Sequence, residues 1–314
     1  MRRILSIDGG GIKGVFPASF LATIEEAIGG PVAQYFDLIV GTSTGGLIAL
    51  GLGLGMRAAD LLGFYERQGP VIFGGNRFAR LLRHVGVSKY GTEGLRSALE
   101  GAFGKRRLGE SAVRLVVPSC NLETGEVHLW KTAHHPRLER DYRTHAVDVA
   151  LATAAAPSFF RPHRSPAGSP FVDGGVWANN PVGVAAVEAV GLLEWPRDTI
   201  RVLSLGCTTT PLDVNLGRKL PLGWMYWGPR IVNVFMAAQS SAALGTAEHL
   251  VGKDNIFRVS PSVPHRFALD DVSEIPSLRG LGETEARKAL PNIRSRFLTE
   301  RAEAFAPVYS VETN

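Results

Sequence analysis

The 314 residues, with 45% hydrophobic and 20% charged side chains, have the composition of a folded globular protein and exclude a disordered or fibrous chain. Two cysteines are too few for a disulfide framework at this length, so we expect a cytoplasmic protein. The net charge of +5 suits contact with anionic lipid or phosphate, and we expect no DNA or RNA polymer as a partner.

A glycine-rich loop follows the first predicted strand, Ile4–Ile7, and precedes a helical pattern from Val15 to Ile28. The loop reads Asp8-Gly-Gly-Gly-Ile-Lys-Gly14, and its consecutive glycines allow main-chain N–H groups to converge on an anion. One candidate anion is the oxyanion of an acyl-transfer intermediate. The other is a dinucleotide pyrophosphate, because the loop also matches G-x-G-x-x-G.

The dinucleotide interpretation requires an acidic residue at the end of the second strand, about 20 residues after the loop. Here Asp37 precedes that strand, and the strand ends in glycine, threonine and serine. The sequence therefore favours the oxyanion, while a nucleotide-binding module stays as an alternative.

The second strand, Leu38–Val40, runs into Gly41-Thr-Ser43-Thr-Gly45 and then into an apolar helical stretch. This strand, turn and helix is the context of a nucleophile elbow, in which glycines leave room for a strained, exposed serine. The charge-free run 38–56 is long enough to span a membrane, but its six glycines favour a buried strand and helix.

Amphipathic segments predict helices that cover the sheet at Leu61–Gln68, Phe78–Val85 and Leu95–Phe103. A basic cluster follows the first of them, and it could contact lipid headgroups or form a solvated surface. Its members are Arg77, Arg80, Arg83, His84 and Lys89.

The middle of the chain begins with two strand-like segments, Val113–Val117 and Val127–Lys131, which predict a hairpin. The histidines that follow fit no common zinc spacing, so we expect no metal site. After a helix at Val147–Ala156, a short strand ends in Asp173 on a glycine turn. Because open α/β sheets assemble sites at strand ends, Asp173 is the candidate base.

Three motifs occur in order: Asp8 to Gly14, Gly41 to Gly45, and Asp173-Gly-Gly-Val-Trp-Ala-Asn-Asn-Pro181. Together they resemble the patatin-like phospholipases, most closely the bacterial type. The resemblance covers residues 1–210, and we expect 211–314 to continue the same domain. It implies a three-layer α/β/α fold with a central, mostly parallel sheet.

The resemblance implies that Ser43 is the nucleophile and Asp173 its base, in a dyad without histidine. Gly9, Gly10 and Gly11 would supply the oxyanion-hole N–H groups, with neither metal nor organic cofactor. The supporting glycines of the motifs are Gly14, Gly41, Gly45, Gly174 and Gly175. A Ser-His-Asp triad using His249 or His265 is the alternative mechanism.

The implied substrate is membrane glycerophospholipid, cleaved peripherally at the inner membrane surface. Some bacterial members are effectors in antiviral defence that cyclic oligonucleotides switch on, so the resemblance also implies such an activator and a homo-oligomer. We expect Arg57–Gly91 or a loop at Pro211–Arg230 to cover the elbow and restrain the hydrolase activity. The Trp224–Trp227 segment of that loop suits a lid or a lipid-facing wedge.

Overall fold

The computed structural model describes residues 1–74, 88–209, 224–263 and 267–311, without the side chains of 224–226 and 228–230. In these ranges, no helix combines the length and the apolar character needed to cross a bilayer. Several sequence predictions lie wholly or partly outside the described residues: the Phe78–Val85 helix, the basic cluster apart from Lys89, His265, and parts of the Arg57–Gly91 and Pro211–Arg230 segments.

Strands and helices alternate through most of the chain. In the N-terminal part they are β1 (Arg2–Ile7), α1 (Val15–Ile28), β2 (Leu38–Gly41), α2 (Thr44–Gly53), α3 (Ala58–Phe73), α4 (Thr92–Phe103), β3 (Arg114–Asn121) and β4 (Val127–Lys131). They continue with α5 (Ala146–Ala154), β5 (His163–Arg164), β6 (Pro170–Asp173), α6 (Gly175–Ala178), α7 (Val182–Val187), β7 (Ile200–Leu205), α8 (Trp224–Val251), β8 (Ile256–Val259) and α9 (Ile275–Phe297).

One sheet has the order β5-β6-β3-β2-β1-β7-β8, with β4 also paired to β3. Five neighbouring strands are parallel: β3, β2, β1, β7 and β8. The pairings of β4, β5 and β6 are antiparallel. Alternate residues of β2 face opposite sides, because Ile39 belongs to one buried cluster and Leu38 and Val40 to another. The predicted α/β sheet with helices on both faces is confirmed.

Two strands meet end to end along one edge of β3. β4 pairs with residues 116–120 of β3, so β2 and β6 must share the opposite edge. β2 runs parallel to 114–116, and β6 runs antiparallel to 119–121. Their carboxyl ends therefore face each other across about two residues of β3, and each end carries a candidate catalytic residue.

The hairpin predicted for the middle of the chain is confirmed by the antiparallel pairing of β3 and β4. The loop predicted around Trp224–Trp227 is wrong, because these residues form the start of helix α8.

Candidate active site

Ser43 occupies the sharp turn between β2 and α2, with φ of 54° and ψ of −121°. Such a conformation is strained for a residue with a side chain. The turn leaves no room for a Cβ at its two glycines: one at Gly41 would lie 2.1 Å from the Gly45 carbonyl oxygen, and one at Gly45 would lie 2.3 Å from the Ile7 carbonyl oxygen. The motif thus holds its serine in a fixed, strained position.

The Ser43 Oγ donates a hydrogen bond of 2.6 Å to Asp173 Oδ2. The other carboxylate oxygen, Oδ1, accepts the Gly175 N–H at 2.6 Å. Burial raises the pKa of Asp173 to about 6, although the hydrogen bonds from Ser43 and Gly175 lower it. Asp173 is therefore more basic than an exposed aspartate and still ionised at neutral pH.

The elbow is also anchored from α5. Thr153 Oγ1 accepts the Ser43 N–H at 2.9 Å and donates to the Pro118 carbonyl at 2.6 Å. This buried threonine bridges the gap between the ends of β2 and β6 on β3. Sequence reasoning missed Thr153, because an alanine-rich helix gives no signal of a distant contact.

The glycine loop lies beside the serine, and a Cβ at Gly9 would be 3.3 Å from the Ser43 Cβ. The Gly9 N–H, expected to bind the oxyanion, donates here to the Asn179 carbonyl at 2.9 Å, so its role stays a prediction. Within the described part of the chain, the N–H groups of Gly10 and Gly11 have no acceptor. They are the ones available to an oxyanion.

Segments from the C-terminal third hold this loop. The Ile12 N–H donates to the Leu269 carbonyl at 2.8 Å, and a Cβ at Gly11 would lie 2.3 Å from the same oxygen. The next residue, Asp270, accepts a hydrogen bond of 2.6 Å from the Tyr90 hydroxyl and pairs with the Lys89 ammonium. These contacts hold the pKa of Asp270 below its usual value, although partial burial opposes the shift.

A buried ion pair fixes the first residue of the loop. Arg258 on β8 contacts both oxygens of Asp8, at 3.3 and 2.6 Å, and also donates to Ser204 Oγ at 2.6 Å. Burial raises the pKa of Asp8, and Arg258 opposes that effect. Cys207 lies under the loop, where burial raises the pKa of its thiol to about 12.

A tyrosine couples α3 to the residue after the serine. The Tyr65 hydroxyl donates to the Thr44 carbonyl at 3.0 Å and lies 2.5 Å from Thr44 Oγ1. Gly14 packs against this pair, because a Cβ there would be 2.1 Å from Thr44 Oγ1. Movement of α3 would therefore reach the elbow directly.

The histidines do not join this site in the described residues. His249 is exposed at the end of α8, whereas His134 Nε2 lies 2.9 Å from Glu188. His265 is outside the described ranges. The carboxylate of Asp173 is the partner of Ser43 Oγ among the residues that the structure describes.

Comparison with known proteins gives one family and several relatives. The family model for patatin-like phospholipases matches residues 5–186. Three similar proteins are each named "cGAMP-activated phospholipase". The one from Pseudomonas aeruginosa is 36% identical, over 91% of this chain and 88% of the relative. The one from Vibrio cholerae is 32% identical, over 91% of this chain and 88% of the relative. The one from Escherichia coli is 37% identical, over 93% of this chain and 89% of the relative.

Proposed function

The chain belongs to the patatin-like phospholipase family and is a lipid acyl hydrolase, and on that premise we propose that it cleaves membrane phospholipids through Ser43 and Asp173 in response to cGAMP. The single observation that carries the catalytic part is the 2.6 Å hydrogen bond from Ser43 Oγ to Asp173 Oδ2. A serine is a weak nucleophile at neutral pH, and a base at this distance can take its proton during attack.

In the first half of the reaction, Ser43 Oγ attacks the ester carbonyl of the lipid while its proton passes to Asp173. The tetrahedral intermediate collapses, the bond to the lysolipid oxygen breaks, and the proton on Asp173 goes to that oxygen. In the second half, Asp173 takes a proton from water, which attacks the acyl-serine and releases the fatty acid. The serine recovers its proton from Asp173, so the enzyme returns unchanged.

The Gly10 and Gly11 N–H groups stabilise the negative charge that develops on the carbonyl oxygen. Donors that are already oriented lower the barrier because they need no rearrangement when the charge appears. The lack of an acceptor for both groups in the described residues supports this role.

The activation part of the proposal rests on the names of the three relatives, which match the chain over about nine tenths of its length. An activator shifts a conformational equilibrium only if it binds the active form more tightly than the inactive one. The Tyr65 contact to Thr44 supports α3 as an element through which such a shift could reach the elbow.

The proposal is tested by fatty acid release from phosphatidylcholine vesicles by the purified protein, with and without cGAMP. We expect cGAMP to stimulate the wild type at least about tenfold and Ser43→Ala to release no fatty acid in either condition. Release that persists in Ser43→Ala would overturn the catalytic part. High basal release that cGAMP does not change would overturn the activation part alone.

A further inference from the structure

Two uncharged stretches of the chain pack together beside the candidate site. Residues 174–187, which follow Asp173, contain no Asp, Glu, Lys or Arg, and neither do residues 231–247 of α8. These two stretches pack on each other, and Val182, Ala185, Ala186, Ala243 and Leu244 share one hydrophobic cluster. Together they carry no ionisable side chain, in a protein where one residue in five is charged.

The first half of α8 extends beyond this packing. From 231 to 242 no residue is buried, and two large apolar side chains, Val232 and Phe235, are 63% and 65% exposed. They are three residues apart and therefore lie on one face of the helix. An exposed apolar pair on an uncharged stretch of helix is a candidate contact surface.

The register between the two stretches brings this face to the candidate site. The Asn179 N–H donates to Gln239, Asn180 donates to Ser240, and Gly183 lies against Ala243. Phe235 lies one helical turn before Gln239, so it is close to Asn179, whose carbonyl accepts the Gly9 N–H. We call Val232 and Phe235 the apolar patch.

We infer that the apolar patch docks on the phospholipid bilayer and presents the Ser43 site to lipids within it. This inference rests on the proposed function, because a phospholipase must meet its substrate at a membrane surface. An uncharged apolar surface is compatible with the boundary between headgroups and acyl chains, where a charged side chain would pay a desolvation cost. A second copy of the chain on the patch would instead stand between the site and the membrane.

The test compares two double variants of the full chain, each with two charges in place of two exposed apolar side chains. Val232→Glu/Phe235→Glu alters the patch. Leu122→Glu/Val127→Glu alters residues that are 51% and 55% exposed at the β3–β4 hairpin and is the matched control. Binding to phosphatidylcholine vesicles, fatty acid release and hydrolysis of the monomeric ester p-nitrophenyl butyrate are measured with cGAMP present.

We expect the patch variant to lose at least about tenfold in vesicle binding, equivalent to about 1.4 kcal/mol, and to lose vesicle hydrolysis in parallel. Its hydrolysis of the monomeric ester should equal that of the control, which shows that the site is folded. Binding should also persist at high salt, because burial of apolar surface is not screened.

Vesicle binding and hydrolysis by the patch variant at the level of the control would overturn the inference. So would a loss of both that accompanies a drop in oligomeric mass by light scattering, since the patch would then join copies of the chain. Failure of the proposed function looks different: neither vesicles nor the monomeric ester would be hydrolysed in a Ser43-dependent manner by the wild type.

Discussion

Ser43 donates a hydrogen bond to Asp173 across a sequence separation of 130 residues because β2 and β6 end head to head on the same edge of β3. One strand runs parallel to β3 and the other antiparallel, so both carboxyl ends open into the same gap. The proposed nucleophile and its proposed base are thus placed by backbone pairing, with Thr153 bridging the gap through the Ser43 N–H and the Pro118 carbonyl.

The raised pKa of Asp173 predicts the pH dependence of the reaction. Burial brings this pKa to about 6, and only the ionised carboxylate can take the proton of Ser43. We expect kcat/KM for p-nitrophenyl butyrate to rise with pH, reach half its plateau near pH 6 and stay level above about pH 7. A profile that is flat from about pH 5 to pH 8 would contradict Asp173 as the base.

The same raised pKa predicts a cost in stability. The folded protein binds the Asp173 proton more tightly than the unfolded chain, so the stability gained from that proton is lost as the pH rises through about 6. The neutral amide of Asp173→Asn avoids this cost. We expect the variant to exceed the wild type at pH 8 by on the order of 2 kcal/mol in the free energy of unfolding by urea.

This advantage should shrink as the pH falls toward about 4, because the wild-type carboxyl is then protonated in the folded state and partly protonated in the unfolded chain. Lower stability of Asp173→Asn than of the wild type at pH 8 would contradict the electrostatic account. Activity of the variant is a separate readout and should fall at least about a hundredfold, because the proton acceptor is gone.

Gly11 offers a test of the oxyanion loop. Its φ is +58°, and an added Cβ would lie 2.3 Å from the Leu269 carbonyl oxygen, so Gly11→Ala must displace the loop. We expect kcat for p-nitrophenyl butyrate to fall about a hundredfold, the effect of losing one oxyanion donor.

The matched control is Gly29→Ala at the end of α1. Gly29 has a similar φ of +68° but no atom within 4 Å of the added Cβ, so the variant carries the backbone strain alone. It should lose stability through that strain and keep wild-type kcat. Equal activity of the two alanine variants would show that the Gly11 loop does not supply the oxyanion donors.

The Asp8 and Arg258 pair predicts a coupling between the start of the loop and β8. Arg258→Met leaves a buried carboxylate without its cation, which typically costs about 3–5 kcal/mol. We expect urea unfolding at pH 7 to show a loss of that order, and the double variant Asp8→Asn/Arg258→Met to recover most of it. A double variant as unstable as Arg258→Met alone would mean that Arg258 acts through other contacts.

The exposed position of His249 predicts that it takes no part in catalysis. His249→Ala should hydrolyse p-nitrophenyl butyrate at the wild-type rate, and His265→Ala should do the same if Asp173 alone is the base. A folded histidine variant without activity, together with an active Asp173→Asn, would replace the dyad by a Ser-His-Asp triad.

The sequence predicted the parts of the site that lie within one strand and its turn. Ser43 and Asp173 could be found in this way, because glycines around a strand end leave a local pattern. Leu269 and Arg258 could not, because they reach the glycine loop from more than 200 residues away through a carbonyl and an ion pair that no local motif encodes. The same holds for the Asn179 carbonyl, which takes the Gly9 N–H that was expected to bind the oxyanion.

The extent of the domain is still a prediction. The pairing of β8 with β7 and the packing of α9 residues into the cluster that contains α1 support residues 211–314 as a continuation of the catalytic domain. No composition shift marks a boundary, which is why the sequence predicted one unit.

The most direct test of the Ser43 and Asp173 account is covalent labelling by a fluorophosphonate, followed by intact mass and peptide mapping, with cGAMP present. We predict one adduct per chain, on Ser43, at a rate that falls at least about a hundredfold in Asp173→Asn and is unchanged in His249→Ala. An adduct on another residue, or labelling of Asp173→Asn at the wild-type rate, would contradict the account.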